Sequence, residues 1–208
     1  MVERATAKAT MRQRILDTAD RLFYGRGIRA VGVDTVAEEI GISKRTLYNH
    51  FPSKDALIAA YLERRFNTLP ITDQPPAEQI LGTFDRLARV FADEGFRGCP
   101  FVNAVAEIGE PGHEANKLAI AFKEQRRLWF RDLLVRLKVK DAQSLATQLQ
   151  MLVDGAIATM LVRGDPSIAQ AAKDAARVLL HSAGVIEPAP ARSTKRSSAR
   201  KKLLSDAQ

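Results

Sequence analysis

Arg45, Thr46 and Asn49 are the residues of this sequence whose types and spacing best suit chemistry on a partner. On a helical wheel turning about 100° per residue they share one side, and Leu47 and Phe51 take the other. The chemistry is recognition, not catalysis. An arginine fork can bond the edge of guanine, and an asparagine amide the edge of adenine. Each such pair discriminates by about 1–3 kcal/mol. Tyr48 and His50 fall on the flanks of the wheel, Lys44 lies in the first turn with a long arm, and Lys54 stands at the mouth of the same groove. The division matches that between base contacts and phosphate contacts.

Two short helices around a glycine would position this set. Val33, Val36, Ala37 and Ile40 form one apolar stripe, Gly41 suits a left-handed helix end, and Ser43 suits an N-cap. Pro52-Ser53-Lys54-Asp55 opens a further helix that turns inward with Leu57, Ile58, Tyr61, Leu62 and Phe66. An earlier helix, with Ile15, Leu16, Ala19, Leu22 and Phe23, would pack behind the pair, preceded by a basic arm with Arg4, Lys8, Arg12 and Arg14. The bland alternative is a helical hairpin with a solvated face.

From Ile15 to Leu57 the sequence resembles the N-terminal domain of the TetR/AcrR family of bacterial transcriptional regulators. The resemblance is carried by ILDTADRLFYGRG, VAEEIGISKRTLYNHF and PSKDAL. It implies double-stranded operator DNA as the partner, with Lys44, Arg45, Thr46 and Asn49 facing bases or nearby phosphates. It also implies that Tyr48, His50 and Lys54 hold the backbone. One departure concerns Val31 and Gly32, where many members place Thr and Ser. Those hydroxyls would cap the second helix and touch phosphate; Gly32 offers only its backbone.

The charge distribution agrees with a local DNA surface. The chain of 208 residues carries a net +8. Residues 1–68 hold 12 Lys and Arg against 8 Asp and Glu, residues 69–186 hold 14 against 14, and residues 187–208 hold 6 against 2. The basic excess therefore sits at the two ends, and the central body has no general affinity for polyanions. A single cysteine, Cys99, excludes an internal disulfide and fits a reducing cytoplasm; we read it as a buried thiol, with a redox sensor as the alternative. No signal peptide and no membrane span are expected. His50, His113 and His181 are scattered, so no metal site, no cofactor motif and no catalytic constellation is expected.

The rest of the chain reads as helix punctuated by Pro and Gly. Pro75-Pro76 opens one helix, Pro100 a short one that stops by Gly109, and Asp141 caps another. Gly164-Asp165-Pro166 reads as a stop, an N-cap and a proline at the first helical position. The last two helices are rich in small residues, among them Gly155, Ala156, Ala158, Ala171, Ala172 and Ala175. Close intramolecular packing is one reading. A four-helix homodimer interface, which the resemblance implies, is the one adopted. The resemblance also implies a pocket for a small-molecule effector. Candidate lining residues are Phe84, Phe91, Asn103, Glu107, Phe122, Trp129 and Met151, although aromatic residues at helical spacing also build ordinary cores.

The expectation is an all-α chain: a three-helix helix-turn-helix DNA-binding domain followed by a larger helical ligand-binding and dimerisation domain. The boundaries are a basic arm at 1–9, the DNA-binding domain at 10–55, the helical body at 56–186 and a disordered basic tail at 187–208. The function expected is a cytoplasmic, ligand-responsive repressor that binds a palindromic operator as a homodimer. The rivals are a helical small-molecule-binding or interaction module without specific DNA binding, and an enzyme hidden in the central bundle.

Overall fold

The computed structural model describes residues 2–187; the side chains of residues 2–9, including Arg4 and Lys8, and the expected tail beyond Glu187 lie outside that description. The described residues form helices and no strand: α1 (Val2–Arg26), α2 (Val33–Glu39), α3 (Lys44–Tyr48), α4 (Lys54–Arg65), α5 (Pro76–Phe91), α6 (Pro100–Ile108), α7 (Glu114–Arg136), α8 (Ala142–Arg163) and α9 (Ile168–Ser182). The all-α expectation holds. The stretch read as an arm is the beginning of α1.

Local chemistry sets most of the boundaries. Ser43, Ser53 and Asp141 accept the backbone N–H three residues on, capping α3, α4 and α8. Pro76 and Pro100 open α5 and α6. His113 caps α7 through Nδ1, which accepts from the Ala115 N–H at 3.1 Å. Before α9, Asp165 accepts from the Ser167 N–H at 2.9 Å; it and Pro166 build a turn, and the helix begins at Ile168.

Two hydrophobic cores result. One joins α1–α4 to α6 and the first half of α7, through residues such as Leu22, Val36, Leu57, Phe101, Ala119 and Phe122. The other joins α5, the second half of α7, α8 and α9, through residues such as Phe84, Leu133, Leu149 and Ala176. No core therefore ends at 55/56, and α7 belongs to both.

Polar contacts strengthen the first junction. The Tyr24 hydroxyl accepts from the Arg97 N–H (2.9 Å) and donates to the Gly98 carbonyl (3.1 Å). On α6, Glu107 Oε2 accepts from the Arg29 N–H at 2.9 Å. Gly27, at φ +94°, lets the carboxylate approach, since a Cβ there would lie 2.9 Å from Glu107 Oε2. The Arg65 guanidinium makes a fork with Asp20 (2.6 and 2.8 Å) and lies over the rings of Tyr24 (4.3 Å) and Tyr61 (5.3 Å).

By length and composition alone α8 is apolar enough to cross a membrane, with an 18-residue window of mean hydropathy 1.4, a test that the core helix of a soluble protein also passes. Its apolar surface divides in two. Leu145, Leu149, Val153 and Ala156 enter the second core. Met151, Gly155, Ala158 and Val162 form an outer stripe, with Met151 67% and Val162 86% exposed.

Candidate nucleic-acid interface

The recognition unit is built from the turn outward. Gly41, at φ +71°, ends α2 in the left-handed conformation, and the Ile42 N–H closes on the Ala37 carbonyl at 3.0 Å. Ser43 then starts α3, its Oγ accepting from the Thr46 N–H at 3.1 Å. Leu47 (0% exposed) and Phe51 (2%) are buried and fix the orientation of α3 on α1 and α2. The Arg12 guanidinium lies 4.7 Å over the Phe51 ring.

Lys44, Arg45, Tyr48 and Asn49 are exposed, and Thr46, His50 and Lys54 are half-buried. The Arg45 guanidinium makes no hydrogen bond or ion pair among the described residues, so its fork is available. Asn49 is the C-cap of α3, its N–H bonded to the Arg45 carbonyl at 3.0 Å. Gly32 begins α2 without a side-chain cap, as its missing hydroxyl requires.

Three of these residues have internal partners that a helical wheel does not show. Lys44 Nζ pairs with Asp34 on α2 at 2.9 Å, and that hydrogen bond raises the ammonium above its ordinary range. Thr46 Oγ1 shares a hydrogen bond with Ser43 Oγ at 2.9 Å. Lys54 Nζ donates to the Ile28 carbonyl at 2.6 Å, tying α4 to the turn after α1. Replacing Asp34 with Asn removes an anion from this surface and releases Lys44. The Asp34→Asn chain should bind random duplex more tightly, with a salt slope steeper by about 1 in log Kobs against log salt. An unchanged slope in titrations on wild type and variant would count against a DNA-facing Lys44.

The predicted pocket residues are not gathered around one cavity. Phe84 and Phe91 are packed in the second core and Phe122 in the first. Asn103 donates to the Arg97 carbonyl at 2.7 Å, and Glu107 holds the Arg29 N–H. Met151 faces outward because α8 is apolar on more than one side. Two other hollows flank α7. A groove of about 770 Å³ is lined by Phe101, Val105, Ile120, Lys123, Arg127 and Gln150. A cleft of about 400 Å³ has Leu69, Ile71, Arg126, Leu128 and Trp129 in its walls, and Trp129 is the one predicted residue that borders either hollow. Among the described residues no group of His, Cys, Asp and Glu could hold a metal ion.

Comparison with known proteins agrees with this geometry. Residues 15–61, which contain α2, the turn and α3, match the model for bacterial regulatory proteins of the tetR family. Over its length the chain resembles the crystal structure of a putative TetR transcriptional regulator from Streptomyces avermitilis. The two are 31% identical with TM-score 0.76, over 84% of this chain and 98% of that one. A TetR-family transcriptional regulator from Streptomyces coelicolor is 30% identical with TM-score 0.75, over 83% and 95%. The HTH-type transcriptional regulator YjdC of Escherichia coli (strain K12) is 26% identical over 159 residues, which are 73% of this chain and 83% of that protein. These relatives are regulators rather than enzymes. A rigidly anchored recognition helix, a match confined to that unit and a likeness that spans the helical body together place this chain in the TetR family of DNA-binding transcriptional regulators.

Proposed function

We propose that the protein is a cytoplasmic, ligand-responsive repressor that binds a two-fold symmetric operator as a homodimer. Residues 10–55 read the DNA, and residues 56–186 dimerise and hold the effector. Lys44, Arg45, Thr46 and Asn49 face bases or the adjoining phosphates, and Tyr48, His50 and Lys54 grip the backbone. The observation that carries this reading is the unbonded Arg45 fork on a helix whose opposite side is locked in the core by Leu47 and Phe51. A fork held on a fixed axis loses little freedom on meeting a guanine edge.

Support for the dimer comes from the outer stripe of α8 and its neighbour on α9. Ala171, Ala175 and Val178 are exposed at helical spacing, with Val178 64% exposed. Small residues beside Met151 and Val162 make a face suited to a second copy, which we favour over lipid as its neighbour. A two-fold pair of heads would meet half-sites about 34 Å apart, one turn of the duplex. Ligand then acts by binding one head spacing better than another.

Selecting bound sequences from a random duplex library tests the reading. Wild type should enrich an inverted repeat. Arg45→Ala should cost about 1–3 kcal/mol on that repeat and relax preference at one base pair per half-site. Enrichment of no sequence over random duplex would leave a helical ligand-binding module in its place.

A further inference from the structure

Arg126 is a partly buried cation with no ion-pair partner among the described residues; the acid whose charge reaches it, Asp154, pairs with Lys123. Among the described residues its guanidinium makes neither hydrogen bond nor ion pair, and its Nε is shielded from solvent without a partner. It lies 4.9 Å over the Phe122 ring. Burial lowers its hold on the proton and the neighbouring Arg86 adds to the effect, while Cys99 and Asp154 oppose it. Among the described residues the Arg86 guanidinium bonds only the Thr83 hydroxyl (3.0 Å), and it lies 5.9 Å from the Trp129 ring centre.

The acids around this pair are already engaged. Glu124 makes a fork with Arg127 (2.8 and 2.5 Å), and Asp132 pairs with Arg131. Asp154 pairs with Lys123, and Asp85 with Lys173. Glu124 and Asp132 border the cleft, so the charge left over in its wall is that of Arg126. An unpaired, partly buried guanidinium is costly, and such groups in clefts mark sites of function. The apolar part of the wall is Leu69, Ile71, Leu128 and Trp129, beside Ala121 and Gln125.

We propose that this cleft takes a small organic anion with an apolar body, a hydrophobic carboxylate whose head pairs with Arg126 and whose tail packs on Leu69, Ile71 and Trp129. A guanidinium fork matches a carboxylate in plane and spacing. A partly open hollow of about 400 Å³ suits a ligand of modest size. The proposal rests on the reading of the protein as a ligand-responsive regulator and names the class of its effector.

Trp129, the sole tryptophan, stands in the cleft wall and reports occupancy by its emission. Octanoate, octanamide and acetate are titrated into the full chain. Octanoate should bind at least about ten-fold more tightly than octanamide, and acetate should leave the emission unchanged. Arg126→Leu should erase the preference for octanoate over octanamide while the apo chain melts no lower than wild type, since the substitution removes an unpaired charge; Arg126→Gln serves if the leucine variant does not fold. Equal binding of octanoate and octanamide, equal binding of acetate, or no response to octanoate at millimolar concentration would each overturn the proposal. Operator binding on the same preparation separates the two readings. Failure of the probes with operator binding intact removes only this effector class, whereas absence of sequence-specific DNA binding removes the regulator reading itself.

Discussion

Arg65→Ala should lower the stability of the chain by about 3 kcal/mol, a drop in Tm of roughly 6–12 °C for a chain of this size. The guanidinium serves Asp20 through two hydrogen bonds of 2.6 and 2.8 Å and covers two tyrosine rings. Both partners of the ion pair are about three-quarters buried, with side-chain exposures of 27% and 23%. Burial opposes the charge on Arg65, yet the Asp20 hydrogen bonds and the electrostatic attraction of Tyr61, Asp20 and Tyr24 together outweigh it, so the guanidinium binds its proton more firmly than usual. Alanine leaves the largely buried Asp20 carboxylate without its fork and strips the faces of Tyr24 and Tyr61. Charge-assisted hydrogen bonds and cation–π contacts in this setting are each worth about 1–3 kcal/mol. Arg65→Lys keeps the charge and loses the fork, and it should fall between the two. Melting followed by circular dichroism checks the series. A shift below about 2 °C for the alanine variant would show that the cluster contributes little.

If the proposed homodimer forms through α8 and α9, glutamates placed together at Val162 and Val178 should convert it to monomers and weaken operator binding by about 100-fold or more. Both valines are exposed in the single chain, so the substitution leaves the two cores intact. In a two-fold interface each new carboxylate occurs twice, and burying it without a partner costs several kcal/mol. Loss of the second head removes the high effective concentration that makes the second half-site cheap to engage. Sedimentation velocity reads the assembly, and fluorescence anisotropy on a labelled operator reads the affinity. A doubly substituted chain that still sediments as a dimer would move the interface away from this face.

The sequence made the local features legible and left the distant pairings hidden. Ser43, Ser53, Asp141, Gly41 and Gly164 announce helix ends because a cap acts within a few residues of itself. Leu47 and Phe51 were separable from Arg45 and Asn49 because a short helix on a core has one inward side. Glu107 was read as a partner for a ligand, and its carboxylate instead holds an N–H 78 residues away. Asp34 and Lys44 stand on different helices, so neither wheel brings them together. Met151 was placed inside because α8 is apolar around much of its girth, and periodicity cannot tell an inner stripe from an outer one. Arg126 drew no notice, since a charge at helical spacing among aromatic residues looks solvated until its neighbours are known.

The helix shared by the two cores has a mechanical meaning. Ala115, Ala119 and Phe122 of α7 are clamped at one end, and Trp129, Phe130, Leu133 and Leu134 at the other. With 23 residues it is a beam about 34 Å long. A beam built into both ends has no slack joint. A tilt of about 5° imposed at one seat reaches the other as roughly 3 Å of travel. A rotation that starts in one core would thus be expected to arrive in the other as a displacement, since one unbroken helix and no loop joins those two seats.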